Sequence, residues 1–236
     1  MANSFIKSKV ITNQELNYKF RLLKFETQDP AFIFKTGQFT NVRVAENTFR
    51  SYSIATHPGT LPSWEIFIDT TPRGPGSQLM TCLKPGDEIE TTKPAGHFYL
   101  EEANSPYIMV ATGCGMASVR PMIEELLPQQ KQVYLLWGLR FIKDIVFEKE
   151  LENWHKNYDN FDFEIVLSKP EEKWPGKTGH VTEYVVDLVK KLAPQKPNLY
   201  LCGNSSMIEE VNSSLSQLSD SFGKIHFERY FNDGKK

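Results

Sequence analysis

Arg50, Tyr52 and Ser53 stand close together, and their side chains suit a ligand that carries both a phosphate and a planar ring. In a β-strand, side chains two residues apart share a face, so the guanidinium of Arg50 would lie beside the ring of Tyr52. Ser53 would then meet the edge of a ring stacked on that tyrosine, with Ser51 and Ile54 completing the segment. A half-exposed strand with a surface arginine is the alternative that these residues alone leave open.

A glycine-rich turn further along the chain favours the ligand-binding interpretation. Gly74, Gly76 and Ser77 precede a short amphipathic segment, so the turn is predicted to open a helix. Backbone N–H groups and the helix dipole at such a point attract a pyrophosphate. Taken alone, a plain turn before a helix explains these residues equally well.

Another glycine-rich turn, at Thr112, Gly113, Gly115 and Met116, follows an apolar run and precedes a helical pattern. A nucleotide-phosphate turn occupies this position in an α/β sheet. Ser118 is expected to cap the helix, and it replaces the third glycine of the G-x-G-x-x-G fingerprint. Because the next strand does not end in an acidic residue either, an ordinary dehydrogenase site is not expected. A turn that only packs helix on strand is the alternative.

Cys202, Gly203 and Met207 form a third candidate, at the carboxyl end of a predicted parallel strand. Ligands bind at this edge of a parallel sheet, although a lone strand cysteine is more often a small buried hydrophobe. No histidine or other base adjoins Cys202, so we expect no covalent nucleophile there.

The elements that must position these residues change in character near residue 105. Before it, β-rich runs alternate between apolar and polar residues and are separated by Gly/Pro turns, as in an antiparallel barrel or sandwich. After it, strands are unbroken apolar runs with amphipathic segments between them, as in a parallel α/β sheet. We predict a β + α/β fold with two domains, residues 1–102 and 103–236. The helical segments have apolar positions at Val119/Ile123/Leu126, Val185/Val189/Leu192 and Met207/Val211/Leu215/Leu218.

Composition narrows the class of function. The net charge of −2 gives no bias toward nucleic acid or anionic membranes. No run reaches the roughly 18 apolar residues of a membrane span, and we expect a soluble cytoplasmic protein. The three cysteines are too scattered for a disulfide framework, and neither they nor the five histidines have metal-site spacing. We therefore predict no protein-bound metal, no nucleic-acid partner and no membrane partner.

The motifs together resemble the ferredoxin–NADP reductase family, over nearly the whole chain. Arg50-Ser-Tyr52-Ser53 is similar to the family's Arg-x-Tyr-Ser flavin motif, and Gly74-Pro-Gly-Ser77 is similar to its diphosphate loop. The resemblance implies an N-terminal antiparallel Greek-key β-barrel for the flavin and a parallel-sheet, Rossmann-like domain for the nucleotide. It implies FAD, with FMN as the alternative, held by Arg50, Ser51, Tyr52, Ser53, Ile54, Gly74, Gly76, Ser77 and Tyr230.

Ala111–Ala117 resembles the family's nicotinamide motif, with Ser118 at the position where the family usually has proline. Cys202-Gly203 matches a Cys-Gly pair that borders the reacting atoms of nicotinamide and flavin. The resemblance therefore implies that the nicotinamide nucleotide contacts Thr112, Gly113, Gly115, Met116, Cys202, Gly203 and Met207.

The C-terminal segment matches the family's Glu-x-aromatic ending at Glu228 and Tyr230, where the aromatic ring covers the flavin. Phe231 is the alternative for that ring, and a final core strand is the alternative for the segment. By resemblance, Ser53, Cys202 and Glu228 are the catalytic residues, which position and polarise the reacting pair.

Arg140, Ser168 and Lys169 end successive predicted strands, where an adenosine ribose would lie. Positive charge there suits the 2′-phosphate of NADPH, but Trp174–Val181 also resembles NADH-using oxygenase reductases. The resemblance thus predicts a monomeric FAD enzyme that exchanges electrons between NADPH, or NADH, and ferredoxin or flavodoxin. A reductase of free flavin or quinone and a non-catalytic electron-transfer subunit are the alternatives.

Overall fold

The computed structural model describes residues 5–171 and 174–230. Its N-terminal half contains strands β1 (Ile6–Glu15), β2 (Phe20–Glu26), β3 (Phe39–Ala45), β4 (Thr48–Ser53), β5 (Ser63–Asp69) and β6 (Glu88–Thr91). They form one antiparallel sheet in the order β4-β3-β6-β1-β2-β5. The sheet curls until its edges approach each other, and a bridge between Ile54 and Ile66 joins them. The predicted antiparallel barrel is therefore confirmed, with its two edges meeting at that bridge.

Apolar and polar residues alternate along these strands, so one face of each strand lies in a common core. In β1, Ile6, Ser8 and Val10 are buried while the residues between them are exposed. The rings of Phe25 and Trp64 stack in the same core with their centres 4.7 Å apart. The short helix α1 (Pro75–Cys82) follows β5 and packs against this core.

The C-terminal half is a second six-stranded sheet, in which every strand pair is parallel. Its strands are β7 (Tyr107–Thr112), β8 (Val133–Leu139), β9 (Phe161–Leu167), β10 (Lys177–Thr178), β11 (Asn198–Asn204) and β12 (Ile225–Tyr230), and its helices are α2 (Met116–Leu126), α3 (Glu148–Asn157), α4 (Val181–Leu192) and α5 (Ser205–Leu215). The order is β10-β9-β8-β7-β11-β12. Separate apolar clusters cover the two faces of this sheet, which explains the unbroken apolar runs. The predicted α/β half is confirmed.

Two helices differ from the sequence prediction. The apolar period that includes Leu218 extends the last helix too far, because α5 ends at Leu215 and Leu218 has non-helical backbone angles. The apolar pattern of the sequence does not reveal α3, because only one residue of that helix, Leu151, is fully buried. A largely exposed helix carries too little apolar pattern to be recognised.

One apolar cluster crosses the junction between the two sheets. Phe20, Phe67 and Phe98 of the N-terminal half pack with α2 and the central strands of the parallel sheet. The predicted boundary between residues 102 and 103 falls in the segment joining β6 to β7, and its position stays a prediction. Within the described residues, no helix has both the length and the apolar character needed to cross a membrane.

Candidate functional site

Strand register brings two of the three predicted catalytic residues together. Cys202 of β11 lies beside Ala111 of β7 on one side and Glu228 of β12 on the other. Neighbouring positions of parallel strands direct their side chains to the same face of a sheet. Cys202 and Glu228 therefore share the face that meets the barrel.

Ser53, the last residue of β4, reaches this face across the junction. Its Oγ donates to Glu228 Oε2 at 3.1 Å and lies 3.0 Å from the Tyr230 hydroxyl. The Tyr230 hydroxyl donates its proton to the carbonyl of Cys114 at 3.2 Å. The structure thus gathers Ser53, Cys202, Glu228 and Tyr230, and their catalytic roles stay a prediction.

Burial controls the acid–base properties of this cluster. It raises the pKa of Glu228 to about 7, and the hydroxyls of Ser53 and Ser118 that donate to the carboxylate act in the opposite direction. Burial also raises the pKa of the Cys202 thiol and of the Tyr230 hydroxyl, and the negative charge of Glu228 adds to both effects. Thiol and phenol therefore stay protonated, and Glu228 can exchange a proton near neutral pH.

The glycine turn before α2 is pressed against the end of β11. A Cβ on Gly115 would overlap the carbonyl of Cys202, and a Cβ on Gly203 would overlap the Thr112 side chain. Gly203 has φ +149°, which a side chain would strain. The N–H of Asn204 donates to Thr112 Oγ1 at 3.1 Å. Glycine at these positions lets turn and strand approach closely enough to frame a ligand.

Arg50 and Tyr52 face the start of α1, as the strand period predicts. A Cβ on Gly76 would overlap the Tyr52 hydroxyl and lie 3.2 Å from Arg50 Cγ. Gly74 is the N-cap residue of α1 and provides no side-chain cap, which leaves the first-turn N–H groups of Gly76 and Ser77 for a ligand. Burial raises the pKa of Tyr52 to about 12, so its hydroxyl is neutral.

Some predicted cofactor-binding side chains face elsewhere. Ser51 points to the other face of β4, where its hydroxyl donates to Asn41 at 2.7 Å. Ile54 and Met116 are fully buried, and Met207 is nearly so. The side chains of Ile54, Met116 and Met207 fill the apolar cores, and contact of these residues with a cofactor stays a prediction. What remains available to a cofactor at these positions is the backbone.

Arg140 and Lys169 lie next to each other at the ends of β8 and β9. The N–H of Lys169 donates to the Arg140 carbonyl at 2.9 Å, and that of Ser168 donates to the Leu139 carbonyl at 3.0 Å. Arg140, Ser168 and Lys169 are all exposed. The Arg140 guanidinium lies 5.2 Å from the centre of the Phe141 ring. The structure therefore brings two positive charges to one edge of the sheet.

Three further residues shape the site. Ser118 lies inside α2, and its hydroxyl donates to Glu228 at 3.3 Å, which corrects the expected capping role. A 3-10 turn precedes α2, so the helix begins before Ser118. The side chain of Asn204 caps α5, where it accepts a first-turn N–H at 2.7 Å. An asparagine before a helical run is a cap signal that can be recognised in the sequence. Trp137 Nε1 donates to the Gly113 carbonyl at 3.0 Å.

Tyr230 belongs to the cluster, whereas Phe231 lies outside the described residues, so the choice of ring that covers a flavin stays a prediction. Within residues 5–171 and 174–230, no three His, Cys, Asp or Glu side chains are grouped as metal ligands.

Comparison with known sequences assigns both halves of the chain. Residues 7–99 match the oxidoreductase FAD-binding domain, and residues 109–213 match the oxidoreductase NAD-binding domain. Ferredoxin–NADP reductase B from Sorangium cellulosum is 29% identical over 236 residues, an alignment that covers 95% of this chain and 97% of that protein. The chain belongs to the ferredoxin–NADP reductase family.

Relatives within the ferredoxin–NADP reductase family include longer proteins. The anthranilate 1,2-dioxygenase electron transfer component of Acinetobacter baylyi is 28% identical, and the match covers 84% of this chain but 58% of that protein. A ferredoxin–NADP+ reductase from Neisseria gonorrhoeae, solved with FAD and NADP, has a TM-score of 0.83 at 20% identity, covering 98% of this chain and 100% of that one. A cytochrome P450 reductase from Amycolatopsis has a TM-score of 0.86 at 22% identity, covering 96% and 69% respectively. These structures confirm the two-domain fold.

As a member of the ferredoxin–NADP reductase family, the chain is a flavin-dependent oxidoreductase that carries electrons between NAD(P)H and a one-electron carrier. FAD and a nicotinamide nucleotide are its cofactors. The residues present fit both. Gly76 lets the first turn of α1 lie directly against Tyr52 and Arg50, so uncapped N–H groups that suit a pyrophosphate stand beside a guanidinium and an aromatic ring. The close approach at Gly115 suits a nucleotide at the sheet edge.

Proposed function

We propose that the chain is an NADPH-dependent reductase that exchanges electrons with a ferredoxin or a flavodoxin. The observation that carries this proposal is the alignment with ferredoxin–NADP reductase B, which spans nearly the full length of both proteins. Bound FAD would supply the redox chemistry that links hydride transfer from the nicotinamide to one-electron transfer. The chain's own residues bind, orient and shield the reacting groups.

The proposed roles follow from position. Arg50 binds phosphate and Tyr52 stacks on the planar ring, because both face the open start of α1. Ser53 and Cys202 orient the reacting groups from two sides of the junction, since they lie within one buried cluster. Glu228 holds a proton beside Ser53 at a pH near neutral. Such positioning can contribute several orders of magnitude in rate.

The flavin assignment is tested with Arg50→Ala. We expect the purified variant to fold but to bind FAD about ten- to a hundredfold more weakly, because a charge-assisted contact to phosphate is lost. Arg43→Ala is the matched control, since Arg43 lies on the neighbouring strand and pairs with Glu90 at 2.8 Å. Equal FAD affinity in the two variants would contradict the assignment.

The preference for NADPH rests on the neighbouring positive charges of Arg140 and Lys169. The double variant Arg140→Gln/Lys169→Gln should raise KM for NADPH about three- to tenfold and leave KM for NADH unchanged, because exposed charges contribute modestly. Lys190→Gln, which neutralises an exposed lysine in the last turn of α4, is the control. A wild-type protein that prefers NADH would overturn the choice of nucleotide.

The acceptor is tested on the purified protein under anaerobic conditions. Addition of NADPH should bleach the flavin absorbance, and the reduced protein should then reduce added ferredoxin or flavodoxin. Turnover with free FMN or a quinone alone would favour a flavin or quinone reductase. Bleaching without transfer to any isolated acceptor would favour a subunit that needs a larger complex.

Location and assembly belong to the same proposal. We assign the protein to the cytoplasm as a monomer, and its three unpaired cysteines, with Cys82 exposed, suit a reducing compartment. Cell fractionation and light scattering of the purified protein test these two points. Recovery in a membrane or secreted fraction, or a mass of twice the chain, would contradict them.

A further inference from the structure

Ser118 is a buried hydroxyl that joins two members of the site. It is completely excluded from solvent within α2. Its Oγ accepts the thiol proton of Cys202 at 3.5 Å and donates to Glu228 Oε2 at 3.3 Å. One side chain of the helix therefore connects β11 to β12 in front of the barrel.

This contact depends on a hydroxyl at that position. A proline, which the family resemblance would place there, has no hydroxyl, so the Ser118 bridge is a property of this sequence. The serine is not needed as a helix cap, because α2 begins at Met116. A hydroxyl buried inside a helix is costly unless it is paired, and here both of its hydrogen-bonding partners belong to the site.

We infer that Ser118 is a positioning residue for Glu228, holding the carboxylate against Ser53 and setting how readily it takes up a proton. Oε2 accepts from both Ser53 and Ser118, so the carboxylate form keeps two donors on one oxygen. Protonation of that oxygen would require one of the two serines to give up its donor role. The Ser118 hydroxyl thus favours the ionised form of Glu228.

The other groups around Glu228 offer the carboxylate little positive charge. Cys202 comes from β11 and Cys114 from the turn before α2, and burial keeps both thiols protonated by raising their pKa values. Tyr230 and His226 come from β12, and burial lowers the pKa of His226, which favours its neutral form. His97, in the segment after β6, lines the cavity that Glu228 borders. In such surroundings a single hydroxyl donor has a large influence.

Glu228 can titrate because it borders a cavity. A space of about 460 Å³ lies between the barrel and β12, and its lining includes Phe39, Gly96, His97, Phe227 and Glu228. His97 and Phe227 are exposed at its rim, so water reaches the carboxyl from this side. Both serines donate to Oε2, whereas Oε1 lies toward Gly96 in the cavity wall. Proton uptake from the cavity and the hydrogen bond to Ser118 therefore act on the same carboxyl group.

The experiment follows the protonation of Glu228 directly in the FAD-loaded protein. Protein labelled with [δ-13C]glutamate is titrated by NMR, and the Glu228 signal is assigned by its loss in Glu228→Gln. The wild-type midpoint should lie near 7. Ser118→Ala should raise the midpoint by about one to two pH units, because a hydrogen bond to the charged form is lost. Ser118→Thr, which keeps the hydroxyl, should restore it.

Ser8→Ala is the matched control. Ser8 is as deeply buried, but it lies in the barrel and its Oγ has no hydrogen-bond partner among the described residues. It should leave the midpoint unchanged. If Ser118→Thr does not fold, Ser118→Cys retains a weaker donor and should give an intermediate midpoint.

A second readout separates positioning from packing. In Ser118→Ala, the pH profile of flavin reduction by NADPH should shift upward with the Glu228 midpoint, while the Kd for NADPH stays unchanged. An unchanged midpoint in Ser118→Ala, or a shift of equal size in Ser8→Ala, would overturn the inference. The inference rests on the proposed function in placing Glu228 beside the reacting groups. The NMR titration needs no turnover, so failure to reduce ferredoxin would overturn the proposed function alone.

Discussion

At the scale of single residues, burial away from water determines the protonation of Glu228 and its neighbours. No cationic side chain contributes to the shifted pKa of Glu228, and desolvation outweighs the two serine donors. A carboxyl group in such surroundings is an acid that is half ionised near neutral pH, which suits proton exchange during electron transfer.

The burial of Glu228 has a cost in stability that depends on pH. The folded-state pKa of Glu228 is about 7, above the ordinary value of 4.5, so the folded state binds the proton more tightly than the unfolded state does. This proton binding stabilises the fold fully below pH 4.5, and the stabilisation is lost as the pH rises toward 7. Glu228→Gln stays neutral throughout. We therefore expect the unfolding free energy of Glu228→Gln, measured relative to that of the wild type, to increase by up to about 3 kcal/mol when the pH is raised from 4.5 to 8. Urea unfolding at both pH values measures the difference, and a constant difference would contradict the assignment.

The three cysteines should differ sharply in reactivity. Burial raises the pKa of Cys114 to about 11 and that of Cys202 further, whereas Cys82 is exposed at the end of α1. Only the thiolate attacks a disulfide reagent, so the native protein should show one fast thiol and two that react at least about a hundredfold more slowly. Cys82→Ser should remove the fast phase. A fast phase that survives in Cys82→Ser would show that one of the other two cysteines is accessible.

At the scale of elements, the site depends on how closely the turn before α2 approaches β11. A Cβ on Gly115 would meet backbone atoms of Cys202 and Gly203, and backbone cannot move aside as a flexible side chain can. We expect Gly115→Ala to lower the free energy of unfolding by about 1–3 kcal/mol. Gly74→Ala is the comparison, because that site has open space and φ −75°. It should cost no more than about 1 kcal/mol as an altered N-cap, and equal losses would contradict the packing argument.

Elements with a strong apolar period were predictable from the sequence. The runs at Phe39–Val44 and Trp64–Asp69 became β3 and β5, because alternation reports one buried face. The exposed helix α3 carries no such signal, and at the end of α5 the apolar period continues to Leu218, beyond the last helical residue. The partner of Ser118 lies 110 residues away, so no local pattern shows whether its hydroxyl caps a helix or bonds Glu228. The candidate catalytic residues were predicted through family motifs rather than through periodicity.

At the scale of the whole molecule, Arg120 of α2 holds the two halves together. Its Nη1 donates to the Ala55 carbonyl at 3.0 Å and lies 3.6 Å from Glu65, both in the N-terminal half. Its Nε lies 3.0 Å from Glu150 of α3, and its guanidinium covers the ring of Phe147 at 5.0 Å. The side chain is 16% exposed, so these interactions are weakly screened.

Arg120→Met keeps the apolar stem of the side chain but removes the charge that Glu65 and Glu150 share. We expect a loss of about 2–4 kcal/mol in unfolding free energy, because two partly buried carboxylates are left without their cation. The halves should also begin to unfold separately, which appears as a second transition when tryptophan fluorescence and circular dichroism are compared. Arg21→Met is the matched control: Arg21 is also 16% exposed, but it pairs with Glu15 inside one sheet. It should keep a single transition.

The pH dependence of Arg120→Met gives a further check on the same contact. Burial already raises the pKa of Glu65, and Arg120 opposes that rise. Without the arginine the folded-state pKa rises further, so the lost stability is greatest above it and shrinks as acid protonates Glu65. The deficit of Arg120→Met should therefore be smaller at pH 4.5 than at pH 8. A deficit that is the same at both pH values, with one unfolding transition, would mean that Arg120 contributes only ordinary packing. The geometry of the flavin and nucleotide halves would then be set by the shared apolar cluster and by the other hydrogen bonds across the junction, such as those of Ser53.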